Sequence, residues 1–283
     1  MNSAMLHNGK VITSKEYNQD VHGSRLYCID KHCKALLVFV KGTDTVSPHF
    51  KTTGKNNDSK HKSNCGFYKP LSFIDSIKKV EEYQEELLDQ GIKETVIRVN
   101  FTKLDPDYVP KEVNKEEQPE KKKKATDDIK VKQESATPST LSSLKSLVKL
   151  MTEYEPDVLS SVLVNVKGKK IPLSHMIGDQ AKIHQMLWDN EIIDKLGYFV
   201  YGTVESVIRR EKVYYINFEP LNSVSFSLTI FDRYFKHFTY SDDELIGKHV
   251  LAYGYLQKNE YNKKNTTIMT IKSDKYIEFI PMK

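Results

Sequence analysis

Apolar positions along this 283-residue chain follow two periods. Between 72 and 90 they recur at steps of three and four: Ile74, Ile77, Val80, Tyr83 and Leu87. That spacing predicts an amphipathic helix, capped by Ser72 and stopped at Gly91. Residues 95–101 read as a strand. A short helix begins at Thr140 and carries Leu141, Leu144, Val148 and Met151 on one side. Residues 158–166 and 170–173 read as a strand pair around Gly168. Residues 180–188 read as a further helix with Ile183, Met186 and Leu187 inward, and Trp188 packs beside it. From Gly197 onward the period becomes two. Strands are predicted at 198–206, 213–219, 224–231, 249–257, 266–271 and 276–280, with a helical stretch at 232–240. The alternation is cleanest in the third, where Phe226, Leu228 and Ile230 oppose Ser225, Ser227 and Thr229.

These elements predict an α+β, multidomain chain. Residues 1–105 form a first module completed by the helix and strand. Residues 106–139 read as a disordered charged linker: the stretch is mostly Lys, Glu, Asp, Gln and Pro, and cannot bury enough apolar surface to offset its ordering entropy. Residues 140–194 are a mixed connector, and 195–283 a barrel. Five strands with a helical connection between the third and fourth is the order of an OB-fold. Gly202 marks the bend that a barrel strand makes.

Composition narrows the class. With 39% hydrophobic and 29% charged residues the chain reads as soluble. Its longest apolar runs are about six residues, far short of a membrane span. No basic stretch followed by an apolar one opens the chain, so no signal peptide is expected and a cytoplasmic location is. The formal charge of +5 argues little for any partner. Its distribution says more, because residues 1–70 hold eleven Lys or Arg against five acids. Such a surface suits phosphates, and equally a merely solvated face.

The three cysteines change the picture most. Cys28, Cys33 and Cys65 all lie in the first module. Four residues separate Cys28 from Cys33, and three separate His61 from Cys65. An odd count excludes a disulfide framework. Two short knuckles with three thiolates and one imidazole suit a tetrahedral Zn²⁺ with no open position, hence a structural site. His61 is the preferred fourth ligand; His49 and His32 compete, with His32 reading as solvent-facing. The same residues carry a resemblance. Tyr27-Cys28, Cys33, the apolar run 35–40, His49-Phe50-Lys51-Thr52, His61 and Cys65, with the hairpin at 8–14, resemble the N-terminal zinc-binding region of competence protein CoiA and related bacterial mobile-element proteins. The resemblance covers about residues 5–68 and implies a bacterial nucleic-acid-associated protein. Those proteins continue into a nuclease domain. This chain lacks the Asp followed by Glu-x-Lys, so nuclease activity does not carry over.

In the barrel, Tyr201-Gly202-Thr203-Val204, Tyr215-Ile216-Asn217, Ile246-Gly247-Lys248 and Tyr253-Gly254 resemble nucleic-acid-binding OB-fold domains. OB-folds bind through strands two and three and the loops joining strands one to two and four to five. Here those loops carry Arg209, Arg210 and Lys212, then Lys258, Tyr261, Lys263 and Lys264. Tyr215 and Asn217 lie opposite the core-facing Ile216 and Phe218. Tyr201, Tyr253 and Tyr255 are further stacking candidates. Cations for phosphates and rings for bases are what single-strand binding needs. The expected function is therefore non-enzymatic binding of nucleic acid, single-stranded DNA ahead of RNA. The alternative is a protein-interaction adaptor in a mobile-element, phage or defence assembly. No paired carboxylates, phosphate loop or nucleophile constellation points to an enzyme, a membrane partner or a small-molecule substrate.

Overall fold

Residues 1–89, 95–109, 140–166 and 168–281 are described by a computed structural model. They build an α+β architecture on three sheets. The first module contributes β1 (Ser3–Leu6), β2 (Val11–Thr13), α1 (Gln19–His22), β3 (Leu26–Tyr27), β4 (Leu36–Val40) and β5 (His49–Thr52). Its strands form one antiparallel sheet in the order β2-β1-β3-β4-β5. The expected opening hairpin is β1–β2, with Met5 opposite Val11. It turns at Gly9, whose φ of +84° is one a side chain would resist.

The long helix is α2 (Phe73–Asp89). Ser72 caps it, accepting the Asp75 N–H at 3.2 Å. Ile77, Val80, Tyr83 and Leu87 are buried along one face, as the period requires, with Phe73 buried at its start and Ile74 half-buried. The expected stop at Gly91 lies outside the described residues.

A four-stranded sheet follows, ordered β7-β6-β8-β9, from β6 (Thr95–Val99), β7 (Thr140–Leu141), β8 (Val162–Val166) and β9 (Lys169–Pro172). Between β7 and β8 lie α3 (Leu144–Glu153) and α4 (Pro156–Ser160). Two elements differ from expectation. Thr140 and Leu141 pair with β6, and the helix starts later, at a capping box made by Ser143 and Ser146. Residues 156–160 are helical, because Pro156 sits in the first turn and the Ser160 hydroxyl donates to the Pro156 carbonyl at 2.6 Å.

The first-module strand β6 lies parallel to β7 and β8, which belong to the expected connector. The expected boundaries at 105 and 140 thus run through one sheet. The linker expected from 106 also begins with anchored residues. Asp107 accepts the Tyr234 hydroxyl at 2.6 Å and Lys272 Nζ at 3.2 Å, and Lys272 also holds the preceding Asp105 at 2.7 Å. Residues 110–139 of that linker lie outside the described residues.

After α5 (Leu173–Met176) come β10 (Ile177–Asp179) and α6 (Gln180–Trp188). The last sheet then uses β11 (Tyr198–Arg209), β12 (Val213–Phe218), β13 (Phe226–Phe231), β14 (His249–Tyr261), β15 (Lys264–Thr270) and β16 (Ile277–Phe279), with α7 (Asp242–Leu245) in the connection from β13 to β14. Its order is β10-β11-β12-β13-β15-β14-β16, and β14 also pairs with β11. Strand β11 serves three neighbours: 199–201 pair with β10 on one edge and 198–203 with β14 on the other, while Val204 and, past an irregularity, Ser206 to Arg209 pair with β12. Gly202 sits beside that change. A Cβ there would meet the Phe218 ring at 2.6 Å, so only glycine fits. One hydrophobic core runs from Phe73 and Ile97 through Leu147 and Leu159 to Phe199, Leu228 and Ile280. The helical middle and the last sheet therefore fold against each other. No helix among the described residues is long and apolar enough to cross a membrane.

Candidate metal centre

Two knuckles meet beneath the first sheet. Strand β3 ends at Tyr27, and Cys28 continues the ladder by donating its N–H to Ala35 O at 2.8 Å. The chain then turns so that the Cys33 N–H reaches Asp30 O at 3.0 Å, with Lys34 taking a φ of +50°. In the second knuckle the Cys65 N–H donates to Lys62 O at 3.0 Å and the Tyr68 N–H to Cys65 O at 3.0 Å.

These turns bring Cys28, Cys33, His61 and Cys65 together, their ligand atoms all within 4.8 Å of one another. Cys28 Sγ lies 3.7 Å from Cys65 Sγ. His61 Nδ1 lies 3.4 Å from the sulfurs of Cys33 and Cys65. A tetrahedron with metal–sulfur bonds of about 2.3 Å has edges of about 3.8 Å, so the four atoms fit the corners of a metal site. Backbone N–H groups of Asp30, Ala35, Lys62 and Phe67 point at the three sulfurs and favour their anionic forms. Without a metal, the Cys28 hydrogen bond lowers the Cys65 thiol from its ordinary value, while Cys28 is held up by the same contact and by burial. His49 lies elsewhere, its Nδ1 2.9 Å from Ser47 O on the edge strand, and His32 is exposed.

Asp30 ties this cluster to the rest of the molecule. Its side chain is fully buried between the knuckles. It accepts the Tyr83 hydroxyl at 2.7 Å, Lys79 Nζ at 2.9 Å, the Gly66 N–H at 3.2 Å and the His32 N–H at 3.1 Å. Burial by itself would raise the Asp30 carboxyl, but the Tyr83, Lys79 and Gly66 donors outweigh it and hold the group below its ordinary value. Phe67 continues the link, stacking on Tyr83 with ring centroids 5.8 Å apart, and facing His61 at 5.9 Å. At the other end of the sheet, the N–H groups of Asn2 and Ser3 donate to Asp157 of α4 at 2.7 and 2.8 Å.

Gly66 is held by this packing. A Cβ there would meet the Tyr83 hydroxyl at 2.7 Å. Gly66→Ala is therefore expected to destabilise the protein by about 1–3 kcal/mol, read as a lower denaturation midpoint with an unchanged slope. A midpoint equal to the parent's would mean that Tyr83 moves aside freely.

The residues expected to contact nucleic acid divide into two groups. Three are already engaged. Arg209 Nε donates to Asp242 at 2.8 Å and Nη2 to Tyr240 O at 2.7 Å, with the guanidinium over the Tyr214 ring. The Asn217 side chain bonds to Ser206 and Ser227 across three strands. Lys258 Nζ donates to Asn190 at 2.8 Å and sits over the half-buried Trp188. Tyr201 is buried, and Tyr253 is half-buried, packing on Phe101 and Phe199. Arg210, Lys212, Lys263 and Lys264 are exposed, as is Tyr261, which closes the β14–β15 hairpin opposite Lys264. Tyr215 is half-buried, and Tyr255 is exposed on the same sheet. Two residues near these groups are not marked by the motifs of the sequence. Phe231 is exposed at the end of β13, where its pattern signals only a strand. Asp30 offered one signal, an acid inside a knuckle otherwise rich in lysine.

No protein-family model matches the chain, and no curated protein matches its sequence.

Proposed function

We propose that this protein is a zinc-stabilised, non-enzymatic binder of single-stranded nucleic acid, DNA in the first instance. Three thiolates and an imidazole at tetrahedral spacing favour Zn²⁺, and four protein ligands leave no position for a catalytic water. The CoiA-like pattern of the first module is consistent with that role.

The observation that carries the reading is the strand order at the C-terminus. Pairings run β11-β12-β13-β15-β14, β14 also pairs with β11, and β13 and β15 are parallel, which supports reading this region as an OB barrel. On the side away from Ile216, Leu228 and Met269, register sets Tyr215, Thr229, Thr270 and Tyr255 in one row. Three strand spacings separate the two tyrosines by about 14 Å. Phe231 lies two residues further along β13, opposite Val213. Arg210 and Lys212 border this face at one loop, and Lys263 and Lys264 at the other. Rings on one face with cations at its ends suit a single strand laid across it, with the two tyrosines meeting bases that are not adjacent.

Fluorescence anisotropy with labelled single- and double-stranded DNA and RNA, at two salt concentrations, tests this. Single strands are expected to bind better than duplex, and less tightly as salt rises. Tyr215→Ala and Tyr255→Ala should each cost about 1–3 kcal/mol with little change in salt slope. Changing Arg210, Lys212, Lys263 and Lys264 together to Ala should flatten the slope. A folded full chain that binds no oligonucleotide at low salt would reject the reading.

A further inference from the structure

The first sheet has two faces, and only one is closed. Ala4, Leu6, Ile12, Leu26, Leu37 and Phe50 pack together on the inner side. On the other side, α2 covers the β2 end, where Val11 meets Leu87. Beyond the helix the apolar surface continues. Register places Met5, Tyr27 and Leu36 in one row across β1, β3 and β4, with Val38 next on β4. Leu36 and Val38 are each 39% exposed. The row borders an open groove of about 510 Å³, whose floor includes Met5, Tyr27 and Ile29.

The rim is basic. Lys31 and Lys34 line the groove, and none of its lining residues is acidic. Lys51 stands opposite Val38 on β5. Nucleic acid is the poorer match for this surface. A single-strand site needs several flat rings, and the lining here offers Tyr27 and His7 among mostly aliphatic side chains, with no arginine on the rim. Aliphatic and Met side chains inside a charged border suit a protein partner. We propose that this face docks an acidic protein segment, which places apolar side chains on Met5, Tyr27, Leu36 and Val38 and carboxylates on Lys34 and Lys51. Lys31 and Lys34 flank Cys33 within the first knuckle, so the metal also sets the rim. The inference does not depend on the nucleic-acid reading; it uses a different surface.

Selection from a phage-displayed random peptide library on the zinc-loaded full chain provides the test. Enriched peptides are expected to carry Asp or Glu around Leu, Ile, Phe or Met. Their affinity should fall about tenfold or more in Lys34→Glu and in Lys51→Glu, and be lost in the exposed double substitution Leu36→Ser/Val38→Ser. Zinc content and melting temperature should stay at the parent values in all three. Three results would overturn the proposal: no enrichment, enriched peptides that bind the variants as they bind the parent, or variants that lose oligo-dT binding where no peptide binds.

Discussion

Cys33→Ser is expected to lose the metal and unfold residues 1–70, the first sheet with its two knuckles, while the remainder of the protein stays folded. Structural Zn²⁺ in small sites contributes about 10–16 kcal/mol at neutral pH, most of it folding free energy. That segment has little else to replace it. Its apolar clusters, around Leu26 and Phe50, around the three cysteines, and where Val11 and Ile29 meet Tyr83 and Leu87, are small and separate from the main core. The continuous core from Phe73 to Ile280 includes none of the ligands. Limited proteolysis should therefore release residues 1–70 and spare the rest, and metal analysis should find no zinc. Chelation of the parent protein should reproduce the pattern, and acid should favour it, because each thiolate lost to a proton is a ligand lost. A variant that retains zinc with three remaining ligands, or unfolds as a whole, would contradict this division.

The next largest effect is expected at Asp30. Asp30→Ala leaves the buried Tyr83 hydroxyl and the buried Gly66 N–H without their acceptor, at about 1–3 kcal/mol each. Lys79 retains Glu82 at 2.8 Å, so its charge is not abandoned. Asp30→Asn keeps an acceptor oxygen and should cost less than the alanine variant. Because these donors join both knuckles to α2, zinc affinity should weaken along with stability. Chemical denaturation of both variants, with a competitive zinc titration, reads the two quantities together. Parent-like stability of Asp30→Ala would show that α2 and the metal cluster are held to each other by other contacts.

The spacing of Cys28, Cys33, His61 and Cys65 was legible because each knuckle is a local turn, and a turn of a few residues has few shapes. The face of α2 was legible for the same kind of reason: a helix repeats every 3.6 residues, so its buried side is written along the chain. The alternation of Phe226, Leu228 and Ile230 likewise marked an inner face. Two-residue strands such as β7 carry no period, so Thr140 and Leu141 read as the start of the helix that follows. The tertiary structure alone decided which faces meet. Asp30 finds Lys79 and Tyr83 about fifty residues along the chain, and no pattern near Asp30 predicts them. Arg209, Asn217 and Lys258 read as free groups because their partners Asp242, Ser227 and Asn190 arrive from other elements. Local sequence determines the surfaces that an element offers; long-range packing determines which polar groups remain for a partner.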